Sequence, residues 1–123
     1  MSTKDNKNVI PTESCCKESL DVKIHRILNK LGILPSTKGY IFLFAGIKKV
    51  MEDRKYIGFI NRSLYPYIAD AYNTTPLRVE RAMRYAIHTM PESDFRFEVF
   101  NHRSKHYSIK EFIVLITNYI YYN

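Results

Sequence analysis

In residues 74–90, TTPLRVERAMRYAIHTM, the side chains equipped to do chemistry are Arg78, Glu80, Arg81, Arg84, Tyr85 and His88. At roughly 100° per residue they share one side of a helix with Leu77, Arg78 lying at its edge. Val79, Ala82, Met83, Ala86, Ile87 and Met90 take the opposite, core-facing side. A solvated face usually mixes signs, whereas this one sets three arginines against a single glutamate. A guanidinium can hold guanine O6 and N7 with two bonds, and a carboxylate can accept from cytosine N4, each good pair discriminating by about 1–3 kcal/mol. The six residues are therefore candidate base readers on a helix in the DNA major groove, set against the plainer alternative of solvated charges. Glu80 keeps two readings, a cytosine acceptor or a support that orients Arg84 one turn on.

Phosphate anchoring is expected from Thr74, Thr75 and the free N–H groups at the helix start, with Arg62, Arg103 and Lys105 as weaker candidates. Other chemistry is not expected. His102 and His106 stand four apart, but no cysteine or carboxylate pair completes a zinc site. The sequence has no nucleophile and base constellation, glycine-rich phosphate loop or cofactor motif, so neither an enzyme nor a cofactor is predicted.

The balance of charge points the same way. In 123 residues, 19 Lys and Arg against 12 Asp and Glu give a formal charge of +7, which favours a polyanionic partner. The length suits one domain, read as a disordered polar leader over residues 1–18 and a helix-turn-helix domain over 19–123. Cys15 and Cys16 are adjacent, so a bond between them would staple nothing, and a reducing cytoplasmic location is expected. No signal peptide is evident and no apolar run approaches the roughly 18 residues of a membrane span.

The elements that must hold these side chains read as all-α, about six helices. Thr75 and Pro76 form a helix start, a hydroxyl cap followed by a residue whose φ suits the first turn. Residues 67–72 form a shorter helix before it, and Asn73 can take the left-handed turn conformation. With small Ala69 and Ala82 where the two should touch, this is a helix-turn-helix at the centre of the fold. Upstream, a helix is predicted from near Ser19 to Leu31, stopped by Gly32, with His25 at its surface or half-buried. A second opens at Pro35-Ser36 and runs to about Asp53, apolar all round over residues 40–45. Its Gly39 and Gly46 suggest close approach of another backbone. Residues 54–58 read as a connector, and the next helix starts between Ile60 and Pro66.

Downstream, residues 92–101 alternate like a strand, but the charges at their ends and a Glu92–Arg96 spacing favour a short helix. In the last helix Ser108 and Glu111 form a capping box, with Tyr107 and Phe112 as its staple. Ile109, Phe112, Ile113, Ile116 and Ile120 make the inner stripe. Val114, Leu115, Tyr121 and Tyr122 point elsewhere, as a candidate dimer contact or a face covered by the tail.

The chain resembles the C-terminal DNA-binding domain of the stage-zero sporulation response regulators. The likeness rests on Leu31-Gly32-Ile33 with Pro35, on Lys38-Gly39-Tyr40, on Leu64-Tyr65-Pro66, and above all on Ile68-Ala69, Asn73-Thr74-Thr75 and Arg78-Val79-Glu80-Arg81-Ala82 with Arg84. The resemblance implies six helices around a helix-turn-helix and transcription control through a short double-stranded DNA box, often in tandem copies. Arg78, Glu80, Arg81 and Arg84 would then face DNA, while Tyr85 stands where the family has histidine. It also implies a contact with RNA polymerase sigma factor, which the shorter segment after Met90 leaves open. Family members carry a receiver domain, and 18 polar residues do not make one, so a receiver-less regulator is expected. The alternative is an interaction module that pairs, as a homodimer or with a full-length relative, and antagonises the latter.

Overall fold

Local signals set the helix boundaries of the computed structural model, which describes residues 19–100 and 107–122. Helix α1 (Leu20–Lys30) begins at Ser19, whose Oγ accepts the Val22 N–H at 3.2 Å. It ends where Gly32, at φ 90°, lets the Ile33 N–H reach the Leu28 carbonyl at 3.2 Å. This left-handed position favours glycine, and here a Cβ would also stand 2.6 Å from Pro91 Cγ. Helix α2 (Lys38–Glu52) opens later than Pro35-Ser36 suggests. Thr37 is its cap, accepting the Tyr40 N–H at 3.2 Å and donating to the Leu34 carbonyl at 2.8 Å, so Pro35 and Ser36 belong to the preceding turn.

The expected connector after α2 contains a single helical turn, α3 (Lys55–Gly58). A π-helical turn, Ile60–Leu64, then runs into α4 (Tyr65–Ala71), with Pro66 in the first turn as its missing N–H requires. Helices α5 (Pro76–His88), α6 (Asp94–Phe100) and α7 (Ile109–Tyr122) complete the order. Among the described residues the fold is all-α, with seven α-helices and no strand.

Helix α6 settles residues 92–101 as helical over its range, because Ser93 supplies a cap: its Oγ accepts the Arg96 N–H at 3.1 Å. Arg96, whose spacing from Glu92 suggested an i,i+4 pair, is only 8% exposed. Its Nη1 donates to the Met90 carbonyl at 3.4 Å, and its guanidinium lies over the Tyr107 ring. The capping box of α7 is present in both directions, Ser108 N–H to Glu111 Oε1 at 3.0 Å and Glu111 N–H to Ser108 Oγ at 3.1 Å. Tyr107 and Phe112 are buried with the Phe100 ring against both.

Helix α2 is the centre of the core, packing on α1, α4, α5 and α7. Tyr40, Phe42 and Leu43 are buried accordingly, although Ile41 stays 38% exposed, so residues 40–45 are not covered all round. Each fully buried large side chain, such as Leu43, Ile47, Met83 or Phe112, stabilises the fold by roughly 1.5–3 kcal/mol. His25 lies at the edge of this core, stacked on Phe44 with Nδ1 2.7 Å from Tyr40 Oη.

Candidate nucleic-acid interface

The turn between α4 and α5 follows from one left-handed residue. Asn73 has φ 56°, which an asparagine tolerates better than most residues. That lets the Thr74 N–H reach back to the Ala69 carbonyl at 2.8 Å and the Asn73 N–H to the Asp70 carbonyl at 3.4 Å. The chain then re-enters a helix at Thr75, whose Oγ1 accepts the Arg78 N–H at 3.3 Å. Pro76 carries no N–H, and among the described residues the Leu77 N–H is the first-turn amide of α5 that these bonds do not engage. The Thr74 amide is spent on closing the turn.

Helix α5 is seated through its small and apolar residues. Val79, Met83, Ala86 and Ile87 are buried, and α5 packs on both α2 and α4. At Gly39 of α2 the approach is so close that a Cβ would lie 2.5 Å from the Ala82 carbonyl oxygen. Ala82, expected to serve the α4 contact, thus meets α2. Gly46 differs from Gly39: it faces side chains, Met83 Cε at 3.1 Å from an added Cβ, rather than a backbone.

With that side fixed, the opposite side of α5 presents the predicted readers. Leu77, Arg81, Arg84 and His88, spaced by four, three and four, follow one row along a rod of about 20 Å. Arg78 and Tyr85 lie on one shoulder of the row, Glu80 on the other. Arg78, Arg81, Tyr85 and His88 are exposed. Among the described residues no ion pair engages Arg78 or Arg81.

Arg84 is held. Its Nη2 pairs with Glu80 Oε2, and its charge also reaches Tyr65, whose hydroxyl pKa is raised by burial and drawn partly back by the guanidinium. Glu80 is largely covered, with 16% of its side chain exposed against 57% for Arg84. Glu80 is thus placed one turn before Arg84 with its carboxylate turned to that guanidinium. Beside this shoulder runs an open groove of about 300 Å³ whose lining includes Asn61, Tyr65, Arg84, His88 and Lys110. Asn61 and Lys110 were not among the predicted contacts: sequence puts Lys110 in the first turn of α7, but only packing brings that turn beside α5.

The remaining predicted residues scatter. Arg62 is exposed on the π-helical turn. Arg103 and Lys105 lie outside the described residues, as do residues 1–18 and the pair His102 and His106. Val114 and Leu115 are half-buried, with Leu115 packed on the core, which removes much of the expected second apolar face. Tyr121 and Tyr122 remain 67% and 78% exposed. Among the described residues no helix is long and apolar enough to cross a membrane, and no three His, Cys, Asp or Glu side chains gather as metal ligands. A family model described as sporulation initiation factor Spo0A C terminal matches residues 24–120.

Proposed function

Because the chain belongs to the sporulation initiation factor Spo0A C-terminal family, a family of DNA-binding domains, we propose that it is a sequence-specific transcriptional regulator reading the major groove with α5. The observation that carries this reading is the division of labour among the arginines. Arg78 and Arg81 project from a helix fixed against α2 and have no ion partner among the described residues, while Arg84 is pre-oriented by Glu80. A guanidinium already held in place loses less freedom on binding a base edge than one that must be ordered there. Thr75 and the Leu77 amide at the helix start, together with Arg62, serve the phosphates, and Arg81, Arg84, Tyr85 and His88 serve the bases with Arg78. The partner is double-stranded DNA, bound by two copies on paired sites because one reading helix covers little surface.

The test is binding of a labelled duplex carrying a sporulation-type box over a salt series. The expected result is affinity that falls with salt and an Arg81→Ala variant that loses preference for the box over scrambled DNA. Equal binding to both duplexes by the unaltered chain would overturn the reading.

A second reading, an interaction module that associates with another copy or with a full-length relative, draws on the exposed Tyr121 and Tyr122 at the end of α7. It is compatible with the first, since paired DNA sites require two copies near one another.

A further inference from the structure

Leu77 is the one apolar side chain in the outward row of α5, 56% exposed and one turn ahead of Arg81. A lone exposed leucine is ordinary on a protein surface. This one, however, stands in the first turn of the helix that carries the arginines, and the first turn of a recognition helix is the part that meets base edges. It also stands clear of the packing that seats α5, which Val79, Met83, Ala86 and Ile87 provide.

Resting on the DNA-reading function above, we propose that Leu77 reads a thymine through its C5-methyl group. The major groove offers donors and acceptors at every base pair and a single apolar group, that methyl. A leucine pressed onto any other base edge would strip water from a polar atom without replacing the lost hydrogen bond, which is unfavourable. Placed on thymine it excludes water from two apolar groups at once. Because Leu77 and Arg81 lie in one row about 6 Å apart along the axis, the thymine falls within one or two base pairs of the base that Arg81 reads.

The experiment uses the full chain and the duplex it selects most strongly from a random pool. Each thymine of that duplex is replaced in turn by deoxyuridine, which removes only the methyl, and binding is followed by fluorescence anisotropy. Burial of one methyl corresponds to roughly 0.8 kcal/mol, about a fourfold change. One position is therefore expected to weaken the unaltered chain about three- to fivefold on replacement and to leave Leu77→Ala unaffected. The fold of Leu77→Ala is verified by its thermal transition, which an exposed position should leave in place. If a sequence is enriched but no thymine shows this dependence, or Leu77→Ala shows the same loss, the assignment of Leu77 is overturned while the regulator reading stands. If selection enriches no sequence, both fall.

Discussion

The Cβ that Gly39 lacks would stand 2.5 Å from the carbonyl oxygen of Ala82, so α2 and α5 meet at a separation only glycine allows. Substituting Gly39→Ala sets two effects against each other. Alanine gains about 0.8–1 kcal/mol in helix propensity. It also drives a methyl into a backbone oxygen that cannot swing aside and to 2.7 Å from Ala86 Cβ, an overpacking that typically costs 1–3 kcal/mol. Because a backbone atom is the obstacle, the clash should win. Urea unfolding is expected to show a net loss of up to about 2 kcal/mol, with weaker DNA binding as α5 shifts. Gly58→Ala is the control: nothing lies within 4 Å of its Cβ position, so stability should hold or rise.

Glu80→Gln separates orientation from net charge. The Glu80–Arg84 pair is partly exposed and solvent-screened, so its loss should change stability by less than about 1 kcal/mol. Its loss also leaves Arg84 free to swing toward phosphates and removes one negative charge from the outward side of α5. The expected outcome is a smaller affinity ratio between selected and scrambled duplexes, together with a steeper salt dependence. An unchanged ratio would mean that Glu80 does not position Arg84 for base reading.

Features governed by a few neighbouring residues were legible from sequence: the helix start near Ser19 and its stop at Gly32, the Thr75 cap, the left-handed Asn73, and the reciprocal Ser108–Glu111 bonds. The buried stripe of α5 was legible too, since its period survives any tertiary arrangement. What failed depended on distant partners. The spacing of Arg96 offered only Glu92 as a neighbour, and its burial against the Met90 carbonyl and the Tyr107 ring could not be read from it. At the interface, sequence left both roles for Glu80 open, and only the folded chain shows its carboxylate paired with Arg84.

Asn73 should tolerate glycine but not alanine. At φ 56° a Cβ-bearing residue without asparagine's local hydrogen bonding bears a cost of about 1–2 kcal/mol, which glycine escapes. Thermal unfolding should therefore place Asn73→Ala below the unaltered chain and Asn73→Gly level with it or above. Thr75→Ala, which removes the cap on the Arg78 N–H, should lose about 1 kcal/mol on its own.

Alkali should destabilise the fold through its tyrosines. Burial raises the hydroxyl pKa of Tyr40 and of Tyr65 above the usual value near 10, outweighing the opposing effects of Asn29 on the first and Arg84 on the second. Above pH 10 the unfolded chain loses these protons first, so it binds fewer protons than the folded chain and stability falls as pH rises. The stabilisation is complete below pH 10 and disappears as pH climbs through the raised folded values. Tyr65→Phe should flatten the decline above pH 10 in a urea-unfolding series, whatever its effect at neutral pH.

Association through α7 has a narrower basis than its sequence suggested, because Leu115 packs on the core and Val114 is half-buried. What remains is the pair Tyr121 and Tyr122, with ring centroids 5.0 Å apart and edge to face. Two aromatic rings alone cover too little for the 1,200–2,000 Å² of a stable interface. They can nevertheless add to an association in which DNA already brings two copies together, where effective concentration amplifies a weak contact. The expectation is a chain that is monomeric without DNA by sedimentation and binds a two-box duplex more tightly than two independent boxes allow. Tyr121→Ser with Tyr122→Ser should remove that excess and leave single-box affinity and thermal stability in place. A stable dimer without DNA that survives both substitutions would locate the contact on another face of the molecule.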